Sequence, residues 1–139
     1  MNEVFADTSH LIALQLPRDP LHAIARLSAS QLLPRTRIVT SELVLVEFLD
    51  HFSRHGLSAR REAILTWRNI HRINAVTILP ATSDLLERTA DLFEHFTDKS
   101  WSLTDCASFV IMRERKIQDA LTFDHHFEQA GFRALLRAS

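Results

Sequence analysis

The sequence predicts an α/β fold with a mainly parallel central sheet, and three observations predict it. Short apolar or β-branched runs alternate with longer amphipathic stretches from one end of the chain to the other. Most of the long stretches open on Ser, Thr or Asp-Pro, the residues that start helices. Only two glycines occur in 139 residues, and no repeat, low-complexity tract or linker interrupts the pattern.

Val4 to Ala6 reads as a short buried strand, and Ser9 to Leu16 as a helix that closes before Pro17. A second helix starts at Asp19-Pro20, with proline in the first helical position, and runs to about Leu33. Arg37 to Val39 is a strand. Thr40 or Ser41 then caps a helix reaching His55, before Gly56. Ser58 opens a helix to about Asn74, with Ile64, Leu65, Trp67 and Ile70 as its core side. Ala75 to Leu79 is a β-branched strand ended by Pro80. Thr82 or Ser83 caps a helix to Phe96, and Ser102 opens another to Lys116. Ala120 to Phe123 is a strand, His126 to Ala130 a short turn of helix, and Phe132 to Leu136 a last strand.

Composition narrows the function classes. Residues 1–139, with 46% hydrophobic and 24% charged side chains, suit a single soluble domain. A chain of this length buries about two-thirds of its unfolded surface. Sixteen Lys and Arg against 17 Asp and Glu exclude a grossly basic nucleic-acid binder and leave room for a local basic surface. The single cysteine, Cys106, has no internal disulfide partner, which fits a reducing compartment. No apolar run reaches the roughly 18 residues of a membrane span. Met1 to Val4 lacks the basic-then-apolar order of a signal peptide, so the expected location is cytoplasmic.

Four acids stand at the edges of strongly apolar stretches: Asp7, Glu47, Asp105 and Asp124. An ionised carboxylate buried without a partner costs several kcal/mol or takes up a proton. Four placed this way make sense if they converge on a cation, of which a divalent metal ion is the simplest. In parallel sheets ligands bind beyond the carboxyl ends of the strands, where Asp7 and Asp124 fall. Each acid also has a plainer reading. Asp7 could cap the first helix. Glu47, in a helix apolar almost all round and therefore read as buried, could pair with an arginine. Asp105 could complete a capping box with Ser102. Asp124 could be a turn former.

The flanking residues carry a resemblance. Ala6-Asp7-Thr8-Ser9, Ser41 to Glu47, Trp101 to Cys106, Leu121 to Phe127 and Gly131-Phe132 resemble, in order and spacing, the PIN-domain family of metal-dependent ribonucleases. Its VapC-type bacterial toxins are the most similar members. The resemblance implies a three-layer α/β/α sandwich. It also implies an acidic pocket holding Mg²⁺ or Mn²⁺, built from Asp7, Glu47, Asp105 and Asp124. Ser9 would support Asp7, and Thr122 would do likewise beside Asp124. Asp98, in Asp98-Lys99-Ser100-Trp101, also looks family-like and stands as a supporting acid. A small antitoxin protein and a homodimer are further implications.

The residue chemistry agrees. All-oxygen ligands suit Mg²⁺ or Mn²⁺, whereas zinc prefers His and Cys. Metal-assisted, in-line hydrolysis of RNA would leave 5′-phosphate and 3′-hydroxyl ends, with no part for the 2′-hydroxyl. His51 and His55 have the spacing of a zinc helix but no third ligand, and read as exposed. Adjacent His125 and His126 read as surface residues, one of them able to touch RNA. Cys106, beside Phe109, Val110 and Met112, reads as a core thiol. There is no glycine-rich phosphate loop, and Ser9 stands where an aspartyl-phosphatase needs its second Asp. Arg61, Arg68 and Arg72 share one side of a predicted helix, either a solvated face or a ridge tracking RNA phosphates. The expected function is a metal-dependent endoribonuclease, the toxin of a toxin–antitoxin pair. Its rivals are a housekeeping RNA-processing nuclease and a catalytically silent RNA-binding or scaffold module.

Overall fold

In the computed structural model, which describes residues 2–32 and 34–137, five strands form one sheet. They are β1 (Asn2–Ala6), β2 (Thr36–Ser41), β3 (Val76–Leu79), β4 (Asp119–Leu121) and β5 (Arg133–Ala134). Their order is β3-β2-β1-β4-β5 and every pairing is parallel. Among the described residues seven helices join them. They are α1 (Thr8–Gln15), α2 (His22–Leu32), α3 (Glu42–His51), α4 (Leu57–Ile70), α5 (Ser83–His95), α6 (Leu103–Arg115) and α7 (His126–Gln129).

The central strand β1 shows how sequence becomes layers. Alternate side chains point to opposite faces of a strand. Phe5 therefore packs with Phe109, Met112 and Phe127 of α6 and α7, while Val4 and Ala6 pack with Leu121 and Leu136 on the other face. Each fully buried Phe or Leu contributes about 1.5–3 kcal/mol. Phe109 anchors the first face, edge-on to Phe127 and Trp101 at 4.9 Å from each ring centre. Helices on both faces make the α/β/α sandwich, and the all-parallel sheet needs that double cover. No described helix is long and apolar enough to cross a membrane.

Several boundaries differ from the sequence expectation, each for a local reason. Asp19 and Pro20 form a turn ahead of α2, because the Asp19 side chain accepts the Leu21 N–H at 2.8 Å. The expected end of that helix at Leu33 lies outside the described residues. Helix α3 stops at His51, where the Phe52 N–H turns back to the Leu49 and Asp50 carbonyls. Gly56, at φ 92°, rather than Ser58, then starts α4; a left-handed φ there favours glycine. Helix α4 ends at Ile70, so Arg72 lies in the following turn. Leu65, expected in the core, is 56% exposed. Helix α3 is not buried all round either, since Val46 is 54% exposed. Strand β4 stops at Leu121 because the Thr122 side chain and the residues after it turn into the crevice. Cys106 is a buried free thiol, as expected. Burial, reinforced by the Asp105 charge, pushes that thiol's pKa up.

A cavity of about 220 Å³ lies under α1, α2 and α4 and is almost wholly apolar. His10 lines it, fully buried, with no hydrogen-bond partner for Nδ1 among the described residues. Burial pushes its pKa down to about 4, so the ring is neutral in the fold.

Candidate active site

The strand order reverses between β1 and β4, which opens a crevice beyond their carboxyl ends. A cavity of about 450 Å³ occupies it, and Asp7, Glu47, Asp105 and Asp124 all line it. Asp7 follows β1 directly and Asp124 follows β4 after two residues. Glu47 lies in α3, and Asp105 in the first turn of α6. The four carboxylates thus arrive from four separate elements. Asp50 and His51, which sequence reasoning did not assign to the site, line its rim on the last turn of α3. Asp50 follows Glu47 by three residues, a helical spacing that was available as a signal.

Asp7 occupies the N-cap position of α1, yet its side chain makes no capping bond. Instead its Oδ2 accepts the Thr122 hydroxyl at 2.8 Å and the Ser9 hydroxyl at 3.1 Å. Each hydroxyl also accepts a backbone N–H: Thr122 from Asp124, and Ser9 from Phe123, both at 3.0 Å. Ser9 and Thr122 thereby tie the start of α1 to the loop after β4. Asp7 is 4% exposed. Burial pushes its pKa up to about 6, the Asp105 charge adds to this, and the Thr122, Thr8 and Ser9 hydrogen bonds oppose it.

Asp105 does both things its sequence allowed. It forms a reciprocal capping box, accepting the Ser102 N–H at 3.1 Å while the Ser102 hydroxyl accepts its own N–H at 3.0 Å. It also lines the cavity, and its Oδ2 lies 3.0 Å from His126 Nδ1. Asp124 Oδ1 accepts the His126 backbone N–H at 2.9 Å, the turn expected of it. Glu47 is half-buried and, among the described residues, joins no ion pair or hydrogen bond, so the arginine partner is not found.

Three expectations need correcting. Asp98 is 73% exposed, lies near Lys99 at 3.5 Å and does not line the cavity. His126 is not a surface residue: its side chain is 16% exposed and sits between Asp105 and Asp124. Adjacent His125 is more exposed, at 56%, yet its ring lies 4.5 Å from that of His126 and its Nδ1 3.7 Å from Asp124 Oδ1. Of the three arginines, Arg61 and Arg68 flank a shallow depression with Ile64 and Leu65, but Arg72 is not part of it.

The donor set fits a hard divalent cation. Five carboxylates line the cavity, and no Lys or Arg among its lining residues neutralises them. The raised pKa of Asp7 is what such crowding and burial produce without a counter-charge. Carboxylate and hydroxyl oxygens predominate, as Mg²⁺ and Mn²⁺ require. Asp124, His125 and His126 also bring one ligand atom each within 4.8 Å of one another at the cavity edge.

Comparison with known proteins gives a consistent result. Residues 4–133 match the PIN domain. The 23S rRNA-specific endonuclease VapC20 of Mycobacterium tuberculosis, from two strains, is 32% identical over 130 residues, spanning 93% of this chain and 95% of the relative. The crystal structure of VapC20, described as a sarcin-ricin loop cleaving toxin, superposes with a TM-score of 0.83 at 30% identity, covering 93% of this chain and 95% of that one. FitAcB from Neisseria gonorrhoeae shares the fold, with a TM-score of 0.68 at 13% identity over 94% of this chain and 95% of that one. Fold and sequence likeness agree: the chain belongs to the PIN-domain family.

Proposed function

We propose that this chain is an endoribonuclease that hydrolyses RNA phosphodiester bonds with Mg²⁺ or Mn²⁺ held by Asp7, Glu47, Asp105 and Asp124. The observation that carries the reading is the convergence of these four acids on one cavity whose lining residues include no Lys or Arg. A divalent ion bound there would polarise the scissile phosphate and lower the pKa of an attacking water. Ser9 and Thr122 hold Asp7 Oδ2 in place. Glu47 has no hydrogen-bond partner among the described residues. It is therefore free to turn toward that water and accept its proton. In this reading Arg61 and Arg68 contact RNA phosphates, away from the acids that would repel them.

The chain's relative acts on 23S rRNA, which makes ribosomal RNA the first substrate to try. A toxin role follows from the same likeness, with a small antitoxin as partner, a homodimer as the assembly and the cytoplasm as the place of action. The test is incubation of the purified chain with ribosomal RNA, with and without Mg²⁺, followed by mapping of the new ends. Metal-dependent cuts bearing 5′-phosphate and 3′-hydroxyl ends support the reading. Products ending in 2′,3′-cyclic phosphate would sink it.

A further inference from the structure

His126 touches two of the pocket carboxylates at once. Its Nδ1 lies 3.0 Å from Asp105 Oδ2 and 3.4 Å from Asp124 Oδ1. Both oxygens are acceptors, so Nδ1 carries the proton. On the far side of the ring, Nε2 lies 3.4 Å from the Ser100 hydroxyl, which can donate to it. The ring is held in this orientation from both flanks. Phe127, the next residue, is fully buried against Phe109. Gln129 of α7 accepts the Trp101 indole N–H at 3.0 Å, which ties α7 to the segment that leads into α6.

The consequence falls on Asp105. Its Oδ2 accepts two N–H groups, the Ser102 backbone at 3.1 Å and His126 Nδ1. Among the described residues no protein donor reaches Oδ1, which leaves that oxygen free for a cation in the cavity. The same Nδ1–H sits between the two acids that α6 and the loop after β4 deliver independently.

We propose that His126 is a positioning residue: its Nδ1–H fixes Asp105 while its backbone N–H holds Asp124 Oδ1 at 2.9 Å, so that each acid presents an oxygen to the same divalent ion. This rests on the metal-nuclease reading above. Outer-shell partners of metal-binding carboxylates commonly change affinity or activity by about 10–100-fold when removed. The role needs a donor at the Nδ1 position and nothing from the rest of the ring. That requirement separates it from simple packing.

The test uses the full chain and Mn²⁺ alone, titrated calorimetrically without RNA, together with kcat and KM on ribosomal RNA. His126→Leu should weaken Mn²⁺ binding by about 10–100-fold and lower kcat by a similar factor, with KM for RNA changed by less than about threefold. His126→Asn places an amide N–H where Nδ1 was and should restore Mn²⁺ affinity to within about threefold of the unmodified chain. His126→Gln places its amide nearer the Nε2 position and should resemble the leucine variant. This Asn and Gln pair decides the matter even if the leucine variant does not fold. Equal Mn²⁺ affinity in the Asn and Gln variants, or full affinity in the leucine variant, overturns the proposal. An unmodified chain that binds Mn²⁺ but cuts no RNA overturns the nuclease reading, while the Mn²⁺ arm still decides the role of His126. Absence of Mn²⁺ binding by the unmodified chain overturns both.

Discussion

The Thr122 hydroxyl donates a 2.8 Å hydrogen bond to Asp7 Oδ2 and accepts the Asp124 N–H at 3.0 Å. One buried side chain thus sets two acids that are far apart in sequence. Thr122→Val keeps the shape and removes both bonds. Leaving such groups unsatisfied costs roughly 1–3 kcal/mol. The variant should fold with a loss of that order and lose most nuclease activity; a denaturant melt and an RNA cleavage assay would check it. Undiminished cleavage would show that Thr122 is not needed to hold the acids.

Asp7 and His10 should pull the stability of the metal-free protein in opposite directions with pH. The Asp7 pKa rises from 3.8 to about 6 on folding, so its contribution falls as pH climbs between those values, by about 3 kcal/mol. The His10 pKa falls from 6.5 to about 4, so its contribution is lost as pH drops between those values, again by about 3 kcal/mol. The two slopes nearly cancel between pH 4 and 6. Asp7→Asn should therefore make the metal-free protein markedly more acid-sensitive in that window. His10→Leu should make it gain stability as pH falls. Melts of the three proteins at pH 4, 5 and 6 test this, and parallel curves would refute it.

Cleavage of RNA should vanish in excess chelator and return with Mg²⁺ or Mn²⁺. The motive is an oxygen-dominated pocket with no Lys or Arg in its lining. Full activity in chelator would remove the metal from the mechanism.

Glu47→Gln should abolish cleavage and leave the metal-free protein as stable as before, or more so. The substitution keeps volume and relieves repulsion among the pocket acids. Glu47 joins no ion pair among the described residues, so the roughly 3–5 kcal/mol loss expected on stranding a buried partner should not appear. A loss of that size in a denaturant melt would point to an arginine partner after all.

Asp105→Asn should give a folded protein with weak metal binding and little nuclease activity. The amide oxygen can still accept the Ser102 N–H, so the cap survives. Losing the charge near the start of α6 costs only roughly 0.3–1 kcal/mol. Near-normal cleavage by this variant would reduce Asp105 to a cap.

Four of the five pocket acids were legible because each ends or interrupts an apolar run, and a parallel sheet gathers strand ends at one rim. Ser9 was legible by its place beside Asp7, whereas Thr122, expected to support the Asp124 carboxylate, donates to Asp7 instead. Asp98 was misread because its neighbours look right, while position in a turn beyond α5 decides its exposure. His126 was missed because two adjacent histidines do not easily both point into one site, which favoured a surface role. Both rings in fact approach Asp124, and the less exposed His126 also reaches Asp105. The apolar spacing of the sequence does not mark the closure of α3 at Phe52 or the exposure of Leu65.

The capping box at Ser102 and Asp105 bears on how a protein of this kind could lose its activity over generations. Most replacements of Asp105 would remove an acid and also unfasten the start of α6, the helix buried from Asp105 to Met112. Loss of such a cap commonly costs about 1 kcal/mol. Glu47 has no such second duty. Lineages that drift toward an inert but intact fold would therefore change position 47 first and keep aspartate at 105 longest.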